Sequence, residues 1–275
     1  MNKVAIAFML LACAKVGNGQ SISTLMGARA AGMGFASSGL ADVWSLFNNP
    51  GALGTQSTLS AAAAYEVRMQ LSNANRMAFA VNVPMRWGVA SLGVFKFGDH
   101  LYSEQLISGG YGNKFGIASL GIKVNYIQYR AEGFQTMGSV SLDFGGLVEL
   151  SEQFYVGAYI FNINQAKINS DGSSENLPTR LTAGITYKPT TSILITTELD
   201  KDIDYKPIWR TGMEYSFREK FYARTGFNLY PQSGFVGMGA RRKKLQADYA
   251  VQFNAITGIS HQASATYSIL ENKKK

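Results

Sequence analysis

Apolar and polar residues alternate along most of this chain of 275 residues. The segment Leu245–Phe253 shows the pattern clearly, because its odd-numbered residues are all apolar and most of the residues between them are polar. Successive side chains of a β-strand point to opposite faces, so such a segment has one apolar face and one polar face. About fourteen such segments follow one another between Leu59 and Ile269. The pattern predicts an all-β fold of about fourteen antiparallel strands.

The connections between these segments alternate in kind. Every second connection is a tight turn, as at residues 84–87 and 242–244, whereas the others tend to be longer, notably 130–137, 162–178 and 200–207. Transmembrane barrels have short periplasmic turns and longer outer loops, whereas a soluble β-sandwich has no reason to sort its turns in this way. The sequence therefore predicts a transmembrane antiparallel β-barrel over residues 57–270, with both termini on the periplasmic side.

The N-terminus has the features of an export signal over residues 1–19. Lys3 provides the positive start, Val4–Ala14 provide the apolar stretch, and Gly17 and Gly19 provide small residues for cleavage. Cys13 is the only cysteine, so the mature chain has no disulfide; Cys13 is either lipidated or removed with the signal. An export signal before a barrel predicts the outer membrane of a Gram-negative bacterium.

Residues 20–56 differ from the rest of the chain. They are rich in Gly, Ala and Ser and lack a period of two. We predict that they form a plug inside the barrel, with Asn49 and Pro50 fixing the turn into the first strand. Proline locks its own backbone and biases the residue before it towards an extended conformation, so the chain enters the strand in one direction.

The alternation also predicts which charged side chains point into the barrel. Opposite charges in a narrow lumen can pair, whereas an unpaired charge in a dry interior is costly. A structural network that stiffens the barrel and a polar permeation path both remain open. The predicted lumen network consists of Glu66, Arg68, Lys123, Asp143, Glu149, Arg180, Glu198, Arg210, Glu214, Arg224 and Asp248.

The net charge of +8 favours contact with nucleic acid or with an anionic surface. An exported barrel does not meet nucleic acid, so we expect outer-membrane lipids as partners. Basic residues collect at the predicted periplasmic turns, where they would contact anionic head groups; docking of a periplasmic protein is the alternative. The main cluster is a periplasmic basic rim of Arg241, Arg242, Lys243 and Lys244, followed by a basic tail over residues 271–275.

Motifs for catalysis or cofactor binding are missing from the sequence. His100 and His261 lack neighbours at metal-ligand spacing, no Gly-x-Ser-x-Gly elbow occurs, and Gly32-Met33-Gly34 has no phosphate-loop lysine. We therefore predict no enzyme activity, no cofactor and no bound metal.

Three short stretches of the N-terminal region carry a family resemblance: Gly27–Gly34, Leu40–Asp42 and Phe47–Leu53. In this order they resemble the start of PorV/PorQ-type outer-membrane proteins, which are relatives of the long-chain fatty-acid transporter (FadL) barrels. The resemblance implies an accessory or docking subunit of a secretion or envelope complex, such as the type IX secretion system of Bacteroidetes-like bacteria, with protein partners in that complex. It also implies an alternative, a FadL-like transporter of hydrophobic small molecules.

The predicted inward charges bear on this choice. A binding pocket for an acyl chain is expected to be mostly apolar, whereas the predicted lumen is rich in charge. The residues therefore favour the docking subunit over the transporter.

Overall fold

A computed structural model describes residues 23–71, 73–170 and 173–271. The predicted signal of residues 1–19, the alternatives for Cys13 and residues 272–275 of the predicted basic tail lie outside the described residues. None of the helices in the described part of the chain is long and apolar enough to cross a membrane.

Fourteen of the strands form a closed antiparallel barrel, so the predicted fold class is confirmed. Each wall strand pairs with the next wall strand along the chain, and the last strand pairs with the first. The wall consists of β1 (Thr58–Arg68), β2 (Arg76–Met85), β3 (Gly88–Gly98), β4 (Tyr102–Phe115), β5 (Ala118–Ala131), β6 (Met137–Glu149), β7 (Phe154–Phe161), β10 (Arg180–Tyr187), β11 (Ile193–Asp202), β12 (Ile208–Phe217), β13 (Phe221–Leu229), β14 (Ser233–Arg242), β15 (Leu245–Asn254) and β16 (Gly258–Glu271).

Two further short strands lie outside the wall. β8 (Lys167–Ser170) and β9 (Ser173–Asn176) form a hairpin of their own in the connection between β7 and β10. Because the hairpin is inserted in this way, β7 pairs directly with β10. The sequence predicts a long connection over residues 162–178, and the hairpin within it was not predicted.

The wall has an apolar outer face. In β15, Leu245, Tyr249 and Phe253 are exposed, whereas Asp248 and Ala250 are buried, as the alternation predicts. A closed barrel satisfies every backbone hydrogen bond within the wall except at its rims, which is what a sheet needs when its outer face contacts hydrocarbon. Outer side chains of this kind suit a lipid environment better than water.

The N-terminal segment, residues 23–56, lies inside the barrel. It contains two short helices, α1 (Ala28–Gly32) and α2 (Ser45–Asn48), and a 3₁₀ helix (Pro50–Thr55), whose side chains are mostly buried. Helix α1 packs against β13–β16, whereas the 3₁₀ helix packs against β3–β7. The segment therefore bridges opposite sides of the lumen.

Glycines on the inner face let this segment approach the wall closely. A Cβ atom on Gly157 in β7 would overlap the carbonyl oxygen of Ser38, and one on Gly121 in β5 would overlap the carbonyl oxygen of Pro50. Any larger residue at these positions would push the N-terminal segment away from the wall. Part of the high glycine content of the chain thus has a packing reason.

Candidate functional site

The inner face of the barrel has a charged half around Arg210 and Arg224, and an apolar half around Phe95, Leu106 and Ile127, in which Glu104 and Lys123 are also buried. In the charged half, Arg210 of β12 donates to Glu198 at 2.8 Å and to Asp200 at 2.6 Å. The second carboxylate oxygen of Glu198 accepts the backbone N–H groups of Ser37 and Ser38, each at 2.8 Å. A buried carboxylate is stabilised by such charge-assisted bonds, so this wall cluster also holds the N-terminal segment.

A second cluster makes the strongest link to the N-terminal segment. Arg29 of α1 donates two hydrogen bonds to Glu214, at 2.9 and 2.8 Å, and a longer one to Asp42 at 3.4 Å. Within the wall, Arg224 donates to Glu214 at 2.6 Å and to Asp248 at 2.8 Å. Each acid in this cluster therefore has a basic partner, and Glu214 has two.

Two smaller networks involve other strands of the wall. Arg76 pairs with Glu66 and donates to the carbonyl oxygen of Ser23 at 2.8 Å, so it also contacts the N-terminal segment. Lys123 pairs with Asp143 at 2.7 Å on the facing strands β5 and β6. Both pairs are almost fully buried, which requires complementary charges at short range.

The structure brings most of the predicted lumen residues into these networks. Arg68 pairs with Glu66 at 3.2 Å, whereas Glu149 pairs with Lys114 near the tight turns, and the guanidinium of Arg180 lies 5.2 Å from the ring centre of Phe161. The remaining eight are buried and ion-paired: Glu66, Lys123, Asp143, Glu198, Arg210, Glu214, Arg224 and Asp248.

The sequence analysis missed Arg29, Arg76 and Asp200. The alternation in the sequence predicts strands at Met77–Val83 and Ile193–Leu199, so Arg76 and Asp200 each lie one residue beyond a predicted end, and extending the alternation by one step finds both. Arg29 lies in a segment without periodicity, so no pattern in the sequence pointed to it.

Asn49 and Pro50 lie at the start of the 3₁₀ helix, which separates them from β1. The side-chain amide of Asn49 donates to the carbonyl oxygens of Ser38 at 2.6 Å and of Gly146 at 3.1 Å. Its side-chain oxygen accepts the N–H of Gly51 at 2.9 Å, and Pro50 begins the 3₁₀ helix. Asn49 thus ties the N-terminal segment both to itself and to strand β6.

The apolar half was not predicted from the sequence. Phe95 of β3, Leu106 of β4 and Ile127 of β5 are buried and cluster with Trp44 and Phe47 of the N-terminal segment. The inner faces of these strands mix apolar residues with polar ones such as Ser91, Ser108 and Lys123, and counting only the charged residues left the apolar ones out.

The connection between β7 and β10, residues 162–179, packs its apolar side chains against this apolar half. Ala166, Ile168 and Leu177 all contact the cluster. The buried Asn162 holds the connection together: its amide donates to the carbonyl oxygen of Leu177 at 3.0 Å, and its side-chain oxygen accepts the N–H of Ala166 at 2.8 Å. We call residues 162–179 the cap.

The cap is also tied to the wall. The backbone N–H of Asn162 donates to Asp143 at 2.9 Å, and Asp143 is the partner of Lys123. Phe97 and Met137, near the long-loop ends of their strands, are only partly buried against the apolar cluster. Apolar side chains of the cap therefore cover part of the cluster, whose edge is less buried than its centre.

The predicted periplasmic basic rim lies at the opposite, tight-turn end. Arg241 and Arg242 end β14, and Lys243 and Lys244 form the turn into β15. Arg241, Lys243 and Lys244 line a cavity of about 540 Å³, whereas Arg242 does not.

No family model matches this chain, and neither does any curated protein. Several solved structures are similar. The toluene transporter TbuX of Ralstonia pickettii aligns at 12% identity over 89% of this chain and 97% of its own, with a TM-score of 0.63. The toluene transporter TodX of P. putida aligns at 11% over 90% and 99%, with a TM-score of 0.65. A Pseudomonas aeruginosa FadL homologue aligns at 10% over 91% and 98%, with a TM-score of 0.61.

This chain shares the fold of these transport proteins. At such low identity the likeness is one of fold, and it includes nearly the whole length of each protein. It agrees with the FadL side of the resemblance drawn from the N-terminal stretches. The PorV/PorQ side gains no support from these comparisons.

Proposed function

We propose that this chain is a barrel of the Gram-negative outer membrane that transports small hydrophobic molecules. Its closed wall with an apolar outer face suits that membrane. Its fold likeness to two toluene transporters and a FadL homologue points to the same class of cargo.

The apolar half of the inner face carries the proposal. Sites for small molecules are mostly apolar with a few polar groups, and the cluster around Phe95, Leu106 and Ile127 has that character. The partly buried side chains of Phe97 and Ile168 extend it to the edge of the cap. A hydrophobic molecule would enter at that edge and replace apolar contacts between the wall and the N-terminal segment.

The N-terminal segment would act as the plug that closes the path. Its buried side chains fill the lumen, so a molecule can pass only if part of the segment moves. On the apolar half the segment is held by Trp44 and Phe47, which a hydrophobic cargo can displace without breaking an ion pair. On the charged half, Arg29 and the Glu198 carboxylate would keep the segment attached to the wall.

The docking subunit of a secretion complex is the weaker alternative. It was favoured because the predicted lumen is rich in charge, and the apolar cluster weakens that reason. Its protein partners likewise have no support among the comparisons.

Binding of a fluorescent apolar probe, aminoanthracene, to the purified barrel tests the proposed site. Ile168→Asp puts a charge at the edge of the apolar cluster, so we expect it to weaken saturable binding about tenfold, equivalent to about 1.4 kcal/mol. Ile203→Asp is the matched control, because Ile203 is exposed in another long loop, between β11 and β12. Equal affinities of folded Ile168→Asp and folded Ile203→Asp for aminoanthracene would contradict the assignment of the site.

A further inference from the structure

The cavity at the tight-turn end has a different chemistry from the proposed cargo path. It lies between the N-terminal segment and strands β1 and β14–β16, and its volume of about 540 Å³ is that of a small-molecule site. Hydroxyl groups of Thr58, Ser60, Thr266 and Ser268 line it, together with Gln246. This lining suits a polar ligand better than a hydrophobic one.

The charges around the cavity are unbalanced. Its two acids are already engaged, because Asp42 accepts from Arg29 and Asp248 accepts from Arg224. Arg241, Lys243 and Lys244 form no ion pair with any carboxylate that the structure describes. Three positive side chains at one mouth without countercharges repel one another, and an anion placed between them would relieve that repulsion.

We propose that this cavity binds a phosphate-bearing anion. A phosphate group carries up to two negative charges and several acceptor oxygens, so it matches three cations better than a single carboxylate does. Arg241 already uses guanidinium N–H groups on Gln246, at 2.9 and 2.5 Å, which fixes its direction towards the strand that borders the cavity. Lys243 and Lys244 would supply point charges from the turn.

The bound anion would link the N-terminal segment to the wall. Arg29 lines the cavity from the N-terminal segment and keeps 19% of its side chain exposed, whereas Arg241, Lys243 and Lys244 belong to the wall. A ligand that contacts both sides would hold the segment in its docked position. The phosphate belongs either to a soluble phosphate monoester or to the phosphodiester of an anionic phospholipid head group of the inner leaflet, and both present anionic phosphate oxygens to the cavity.

The test uses the purified full-length barrel with Trp87→Phe and Trp209→Phe, so that the fluorescence comes from Trp44, which lines the cavity. One arm titrates glycerol phosphate into the barrel in neutral detergent, and the other compares nanodiscs of phosphatidylglycerol with nanodiscs of phosphatidylcholine. A saturable change in either arm supports the proposal and identifies the source of the phosphate. No saturable change in both arms overturns it.

Paired variants separate a built site from general surface charge. Lys243→Gln with Lys244→Gln is expected to weaken binding at least about tenfold. The control, Arg218→Gln with Lys220→Gln, removes the same charge from another tight turn, between β12 and β13, and should leave binding unchanged. An equal loss in the two folded double variants would also overturn the proposal.

Discussion

Replacing Arg29 with glutamine should loosen the N-terminal segment while leaving the wall intact. Arg29 is the one residue through which α1 reaches the Glu214 carboxylate, and Glu214 keeps Arg224 as a partner after the change. Breaking a buried ion pair costs about 3–5 kcal/mol when a charge is left without a partner. Here Glu214 stays paired with Arg224, whereas Asp42 loses only its longer contact of 3.4 Å and is 21% exposed, so we expect a smaller cost of about 2 kcal/mol.

A cost of about 2 kcal/mol raises the population of the undocked segment roughly 30-fold. Thiol labelling measures this population when a cysteine replaces Ala36, which is fully buried in the segment. We expect the labelling rate of Ala36→Cys to rise about 30-fold when Arg29→Gln is added. Arg242→Gln removes the same charge from the rim of β14, outside the cavity, and should leave the rate unchanged. No increase with Arg29→Gln, or an equal increase with both, would refute the role given to Arg29.

Three further outcomes follow from the geometry. Gly157→Val should prevent the N-terminal segment from docking, because a Cβ there meets the Ser38 carbonyl group. Gly109→Val should fold normally, because a Cβ there meets its nearest atom at 3.7 Å. Heat-modifiable gel migration distinguishes the two variants. Val251→Arg on the outer face should lower the free energy of unfolding by about 2–4 kcal/mol near mid-membrane, and an equal effect of Gln252→Arg would refute the register. A peptide tag inserted after Ser174 should be labelled on intact cells, and labelling only after the outer membrane is opened would reverse the proposed orientation.

The wall could be predicted from the sequence because its strands obey a simple rule. In β15, each residue that alternation assigns to the outside is more exposed than its neighbours assigned to the inside, apart from Val251. The lengths of the turns then predicted which connections lie on the periplasmic side, and the export signal predicted the outer membrane. Local patterns were sufficient for these features, since each depends on a few consecutive residues.

The arrangement inside the barrel could not be predicted in the same way. Arg29 and Glu214 are far apart in the sequence, and their contact depends on how the N-terminal segment folds within the lumen. The apolar half was missed for a different reason. Phe95 and Leu106 share the inner faces of β3 and β4 with small and polar residues such as Ser91 and Ser108, so no apolar pattern marked the inner side.

Uptake of radiolabelled toluene by intact Gram-negative cells tests the central claim most directly. The host lacks its own FadL-type transporter and expresses this barrel at a level verified by heat-modifiable gel migration. We predict saturable uptake well above that of cells with an empty vector, reduced by Ile168→Asp at the edge of the cap. Uptake equal to the empty vector, with the folded barrel present in the outer membrane, would contradict the proposed transport of small hydrophobic molecules.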